Sequence, residues 1–184
     1  MGRIEKGESW YQLLNITPNI GRFLEALDQE RLAIAEELNV DVKTIFDHFH
    51  LSFHVPVSDS ISDMNQEIHA MGNDVLGPDT ADSRYVTEDV PFGLVLTIVL
   101  GNLVHRPAIL HQAGLQIASA MYGRDFMGEN DLLNELGLQQ CTLKELKEAA
   151  YTGILVKEST TTTTTEREAP TKPRNVAKPM VVNK

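Results

Sequence analysis

Residues 90–104 read VPFGLVLTIVLGNLV, fifteen positions without one charged side chain. The run is shorter than the roughly 18–20 apolar residues that a bilayer span requires, and Gly101 and Asn102 interrupt it. As a helix from about Val90 to Val104 it would be apolar nearly all round, and a helix of that kind has to be buried. Asp89 and Pro91 stand where such a helix could open, because a short carboxylate satisfies free amide groups and proline's missing N–H costs nothing in a first turn. The run therefore predicts an all-α, multi-helix domain built around a central apolar helix. At 184 residues, 42% hydrophobic and 23% charged, the chain is long enough to bury a sizeable core around it.

The flanking segments supply the partners. TPNIGRFLEALDQERLAIAEELNV begins with Thr17 as N-cap and Pro18 at the first helical position. Ile20, Phe23, Leu24, Leu27, Ile34 and Leu38 recur there at three- and four-residue spacing as one apolar stripe. Arg31 interrupts the stripe and is expected to pair with a neighbouring carboxylate. Further helices are expected over about 42–49, capped by Asp41, and over about 60–71, capped by Asp59. GNDVLGPDTADS reads as a loop. After Pro107 a helix should face inward through Ile109, Leu110, Ala113, Ile117, Ala120 and Met121 and stop at Gly123. Two shorter helices near 130–136 and 143–150 close the body, the second capped by Thr142. The body is taken as residues 1–157. Residues 158–184, with six consecutive threonines, three prolines and few large apolar residues, are expected to be a disordered tail.

The net charge of −10 argues against nucleic-acid and anionic-membrane partners. Residues 159–184 hold five basic and two acidic groups, which leaves the rest at −13. Cys141 is the single cysteine, so neither an intrachain disulfide nor a cysteine-based metal site is possible. MGRIEKGESW is too polar for a secretory signal, and Lys6 stands where a myristoylation motif wants Ser or Thr. A cytoplasmic location is the resulting expectation. Neither G-x-G-x-x-G after a strand nor a P-loop is present, and G-x-S-x-G and H-E-x-x-H are missing as well. His48, His50 and His54 cluster in sequence, but partly exposed or capping roles explain them better than a metal.

SRYVTEDVPFGLV, residues 83–95, is the one stretch whose residue types offer chemistry. The Arg84 guanidinium is a planar fork that matches a carboxylate bidentately. The Asp89 carboxylate, at a helix start, could orient and charge-stabilise a histidine. Capping by Asp89 with a structural ion pair at Arg84 explains the same residues.

RYVTEDVPFGLV, with GP before it, LG after it, and then YGRDF and NELGL, resembles the C-terminal helical domain of the opine (octopine/nopaline) dehydrogenase family. GRIE near the start and the 17–40 helix fit the same domain in the same order, so the resemblance covers about residues 2–150. It implies a 6-phosphogluconate dehydrogenase-like C-terminal helical fold. It further implies an oxidoreductase that joins an amino acid to a 2-oxo acid such as pyruvate and reduces the imine with NADH or NADPH held by a Rossmann domain. On that resemblance Arg84 binds the oxo acid carboxylate, and Asp89 pairs with the catalytic histidine in a proton-transfer dyad. The family's histidine lies just upstream of GRIE, so histidine, Rossmann domain and cofactor site are expected outside this chain, which alone would bind no NAD or NADP. The alternative is a non-catalytic helical module that reuses the fold for dimerisation or partner binding.

Overall fold

The computed structural model describes residues 1–156; the sequence reading of a tail over 158–184 lies outside the described residues. The described residues are helical: α1 (Gly2–Glu5), a 3-10 turn (Leu13–Asn15), α2 (Pro18–Leu38), α3 (Ile45–Phe53), α4 (Ile61–Ala70), α5 (Arg84–Thr87), a π-helical turn (Asp89–Leu94), α6 (Val95–Leu103), α7 (Ile109–Tyr122), α8 (Asp131–Glu135), a second 3-10 turn (Leu138–Gln140) and α9 (Leu143–Thr152). Among them the only extended pairing is an isolated antiparallel bridge between Tyr11 and Leu76. The all-α expectation holds.

The long helix α2 organises the rest by a device that its apolar stripe conceals. Three of its carboxylates each reach the N-terminus of a different helix. Glu25 accepts the Ile61 N–H of α4 at 2.8 Å, and Asp28 accepts the Ile45 N–H of α3 at 2.8 Å. Glu30 accepts the Leu110 and His111 N–H groups of α7 at 2.7 and 3.2 Å. The first N–H groups of a helix have no partner within it and carry its positive pole, so a carboxylate there both satisfies donors and complements the dipole. Arg31 pairs with Asp28 at 2.6 Å, as its place in the stripe requires. Gly21 lets α2 approach α4 closely, since a Cβ there would stand 2.9 Å from the Ser62 nitrogen.

Three apolar clusters form the core. Leu13, Phe49, Val55, Ile61, Met64 and Ile68 make the first; Val95, Ile98, Leu115, Phe126 and Leu133 the second; Ile34, Val104 and Ala108 the third.

Several local expectations need correction. The helix after residue 41 starts at Ile45, because Thr44 and Asp47 form a reciprocal capping box that a lone Asp41 cannot match. Ser60, not Asp59, caps α4 through its hydroxyl to the Asp63 N–H. Ile20 and Phe23 face outward on α2, where Gly21, Asp28, Ile34 and Ala35 are the buried positions. On α7 the expected inward stripe is the outer face: Ile109, Ile117 and Met121 are exposed, while His111 and Leu115 are buried. The anchor explains the rotation. Glu30 holds the amides and the ring of His111, which turns that face toward α2 and sends the apolar stripe to the surface.

The apolar run lies in the core along one edge, through Pro91, Val95, Ile98 and Gly101, and not all round. Phe92 and Leu96 are exposed. Its helix also begins earlier than expected, at Arg84, so the stretch Arg84–Leu103 reaches 20 residues and passes a length-and-composition test for crossing a membrane. Core helices pass the same test, and this one packs against α2 and α7.

Candidate functional site

The helix that carries Arg84 and Asp89 is irregular because of Pro91. Proline has no N–H to donate, and its ring crowds the carbonyl four residues back, that of Thr87. The chain answers with a wider, π-helical turn over Asp89–Leu94 instead of breaking. Asn130, buried at the start of α8, braces this turn by donating from Nδ2 to the Pro91 carbonyl at 2.7 Å while its Oδ1 caps the Leu133 N–H. Asp89 therefore lies inside a helix and caps nothing. The N-cap position is Ser83, six residues before Asp89.

Arg84 and Asp89 do not pair. The Arg84 guanidinium makes a single 3.5 Å contact with Glu88 one turn on, and the Arg84 side chain is 75% exposed. An exposed i,i+4 pair of this kind is worth a few tenths of a kcal/mol, so it leaves the guanidinium available. Asp89 is exposed as well.

Beside this turn opens an apolar cavity of about 460 Å³. Ser83, Tyr85 and Val86, from the same turn as Arg84, form part of its wall, with Trp10, Ile20 and Tyr122 among the facing residues. Two hydroxyls fix the wall. Tyr85 Oη accepts from Gln12 Nε2 at 3.2 Å, and Tyr122 Oη donates to the Ala81 carbonyl at 3.1 Å. Trp10 is held by its own carbonyl, which accepts the Gly77 N–H at 2.8 Å. Gly77 is obligatory there: a Cβ would fall 2.2 Å from the Trp10 ring.

The loop between α4 and α5 is pinned by one carboxylate. Asp74 accepts the N–H groups of Leu13, Leu14 and Val75 at 3.0, 2.9 and 2.7 Å, and its Oδ2 lies 2.9 Å from His69 Nδ1. Burial pushes this carboxyl up, but the four hydrogen bonds outweigh it and hold Asp74 below its ordinary range. The Glu30–His111 contact, at 2.8 Å, is built the same way. Burial raises the Glu30 carboxyl, the His111 ring and the two α7 amides lower it further, and the net is downward. Sequence reasoning missed both His–carboxylate pairs. His69 and Asp74 are five residues apart across a turn, a weak signal that could have been noticed; Glu30 and His111 are 81 apart, and nothing local joins them. The clustered histidines serve the backbone: His50 Nδ1 lies 2.7 Å from the Val55 carbonyl, and His54 ends α3 in the left-handed region. Among the described residues no group of three or more His, Cys, Asp or Glu side chains could hold a metal ion.

With this geometry in place, comparison with known proteins is informative. The family profile described as "NAD/NADP octopine/nopaline dehydrogenase, alpha-helical domain" matches residues 1–122. The chain belongs to this family. The matched span contains Arg84, Asp89 and every residue that lines the cavity. The opine dehydrogenase of Arthrobacter sp. (strain 1C) is 31% identical over 148 residues, which is 80% of this chain and 41% of that protein. The chain thus spans about two fifths of the length of that relative, over a helical domain of the opine dehydrogenase type.

Proposed function

We propose that residues 1–157 are the substrate-binding helical domain of an opine dehydrogenase, an oxidoreductase that condenses an amino acid with a 2-oxo acid such as pyruvate and reduces the imine. The reading rests on one observation above others. A guanidinium with no strong partner is carried, in a chain of this family, by the short helix whose Tyr85 and Val86 line an apolar cavity. In this reading Arg84 exchanges its weak Glu88 contact for the carboxylate of the oxo acid, a bidentate and charge-assisted pair. Asp89 stands ready to accept the ring N–H of a histidine from outside the described residues. It would fix the tautomer of that ring and stabilise its cation while the ring moves the amine or imine proton.

NAD or NADP would supply the hydride. The described residues do not fit it: they contain no strand leading through a glycine-rich turn into a helix, so nothing among them cradles a pyrophosphate. No step through the nicotinamide is therefore assigned to these side chains.

Complementation tests the reading. The chain is mixed with, or fused to, a cofactor domain of the family that retains its histidine, and NADH oxidation is followed with pyruvate and an amino acid. Arg84→Ala should raise the KM for the oxo acid, roughly 10- to 100-fold for a lost charge-assisted pair. Asp89→Asn should lower kcat with little change in that KM. Absence of any oxo-acid-dependent oxidation with a folded, mixed pair would sink the proposal. The rival, a non-catalytic association module, draws support from the exposed apolar face of α7 (Ile109, Ile117, Met121). It predicts tight self-association by sedimentation and indifference to oxo acids.

A further inference from the structure

The cavity beside Arg84 has a wall composition that bears on which amino acid the site takes. None of its lining side chains carries a charge at neutral pH, and Trp10, Tyr85, Val86, Tyr122, Ile16 and Leu24 are among them. Its volume of about 460 Å³ falls within the range of small-molecule sites. The Trp10 Nε1–H is buried and has no hydrogen-bond partner. Gln12, by contrast, spends its amide on the Leu76 carbonyl and the Tyr85 hydroxyl.

We infer that this cavity receives the side chain of the amino-acid substrate and selects a bulky uncharged one, aliphatic or aromatic, over the charged side chains of arginine, lysine, aspartate or glutamate. The inference rests on the substrate-domain reading above and names its substrate class. The physical reason is asymmetric. An apolar side chain gains by leaving water for these walls. A guanidinium, ammonium or carboxylate would lose its hydration there and meet no opposite charge on any lining side chain.

Trp10 is the single tryptophan of the chain, so its emission reports the cavity directly without any catalysis. The probes are N-(1-carboxyethyl) derivatives of phenylalanine, leucine, arginine and glutamate, which combine the carboxylate meant for Arg84 with a variable side chain. On the full chain, the phenylalanine and leucine derivatives should saturate the Trp10 signal at concentrations roughly ten-fold or more below the other two. Gln12→Glu, which sets a carboxylate in the wall at nearly constant shape, should invert the order in favour of the arginine derivative. Ala81→Leu, which narrows the cavity, should weaken the phenylalanine derivative most and serves if Gln12→Glu does not fold. Equal or tighter binding of the charged derivatives to the native chain overturns the inference, and so does a Trp10 signal indifferent to the apolar ones up to about 10 mM. The complementation assay separates this from the parent reading. Turnover with charged but not apolar amino acids would refute the cavity assignment and leave the oxidoreductase reading standing. A saturable Trp10 response without any turnover would do the reverse.

Discussion

Asp74→Ala is the perturbation whose size the structure fixes best. The carboxylate side chain is 2% exposed and accepts from the amides of Leu13, Leu14 and Val75 as well as facing the His69 ring. Leu13 is buried, so its amide would lose its acceptor with no water to replace it, at about 1–3 kcal/mol. Leu14 and Val75 are exposed, and solvent recovers part of their bonds. Adding the lost start of the Leu13–Asn15 turn gives a total of about 2–4 kcal/mol. For a chain of this size that is a fall in Tm of roughly 5–15 °C, readable by circular dichroism or calorimetry. The pH dependence supplies a second, independent number. The folded-state pKa of Asp74 lies below its ordinary 3.8, so its contribution is present above that value and is lost as pH falls through the folded pKa. The native chain and the variant should therefore differ most near neutrality and converge as pH falls through the lowered folded-state pKa of Asp74. A loss under about 1 kcal/mol at pH 7, or a gap that does not narrow in acid, would refute the assignment of Asp74 as the pin of this loop.

Three further outcomes follow from the same structure. Glu30→Gln should cost about 1–2 kcal/mol in chemical denaturation, because α7 loses a charged partner for its first amides, and the difference should shrink as pH drops below the ordinary 4.5 of this carboxyl. Gly77→Ala puts a methyl 2.2 Å from the Trp10 ring, so it should lower stability by about 1–3 kcal/mol and shift Trp10 emission even without ligand. Ile117→Ser should change stability by no more than about 0.5 kcal/mol, whereas an inward-facing Ile117 would cost about 2–4 kcal/mol, and a melting curve distinguishes the two.

What the sequence made legible was whatever local chemistry determines. Thr17–Pro18 marked the start of α2, Thr142 marked that of α9, and Gly123 marked the end of α7 in the left-handed region. The motifs around Arg84 carried the family. What remained hidden depends on pairs distant in the chain. Nothing near Ile109 reveals that Glu30, from another helix, will reach the α7 amides and decide which face is buried. Apolar spacing alone then favours Ile109, Ile117 and Met121 for the core, and the structure puts them outside. The site was half legible for a related reason. Residue types showed that Arg84 and Asp89 could matter, but the rule that an acid before a proline opens a helix put the start at Asp89. It overlooked that a helix already running can widen around Pro91 and continue.

The separation between committed and available charge bears on the functional reading. Carboxylates that hold the fold are engaged several times over: Asp74 with four donors, Glu30 with two amides and a ring, Asp28 with an amide and Arg31. Each would have to break good bonds before it could serve a substrate. Arg84 gives up only one long surface contact, and Asp89 stands exposed at the start of the π-helical turn that follows. Uncommitted charge is common on any surface and carries no function by itself. Here, however, Asp89 opens a turn whose irregularity is maintained from outside, by the buried Asn130 amide on the Pro91 carbonyl, and Arg84 lies on the helix that leads into it. The same helix also contributes Tyr85 and Val86 to the cavity wall. A helix that needed only to fill the core would gain nothing from a widened turn at this point. One that presented a guanidinium and a carboxylate to ligands, as in the proposed function, would gain by having the Asp89 turn braced in place.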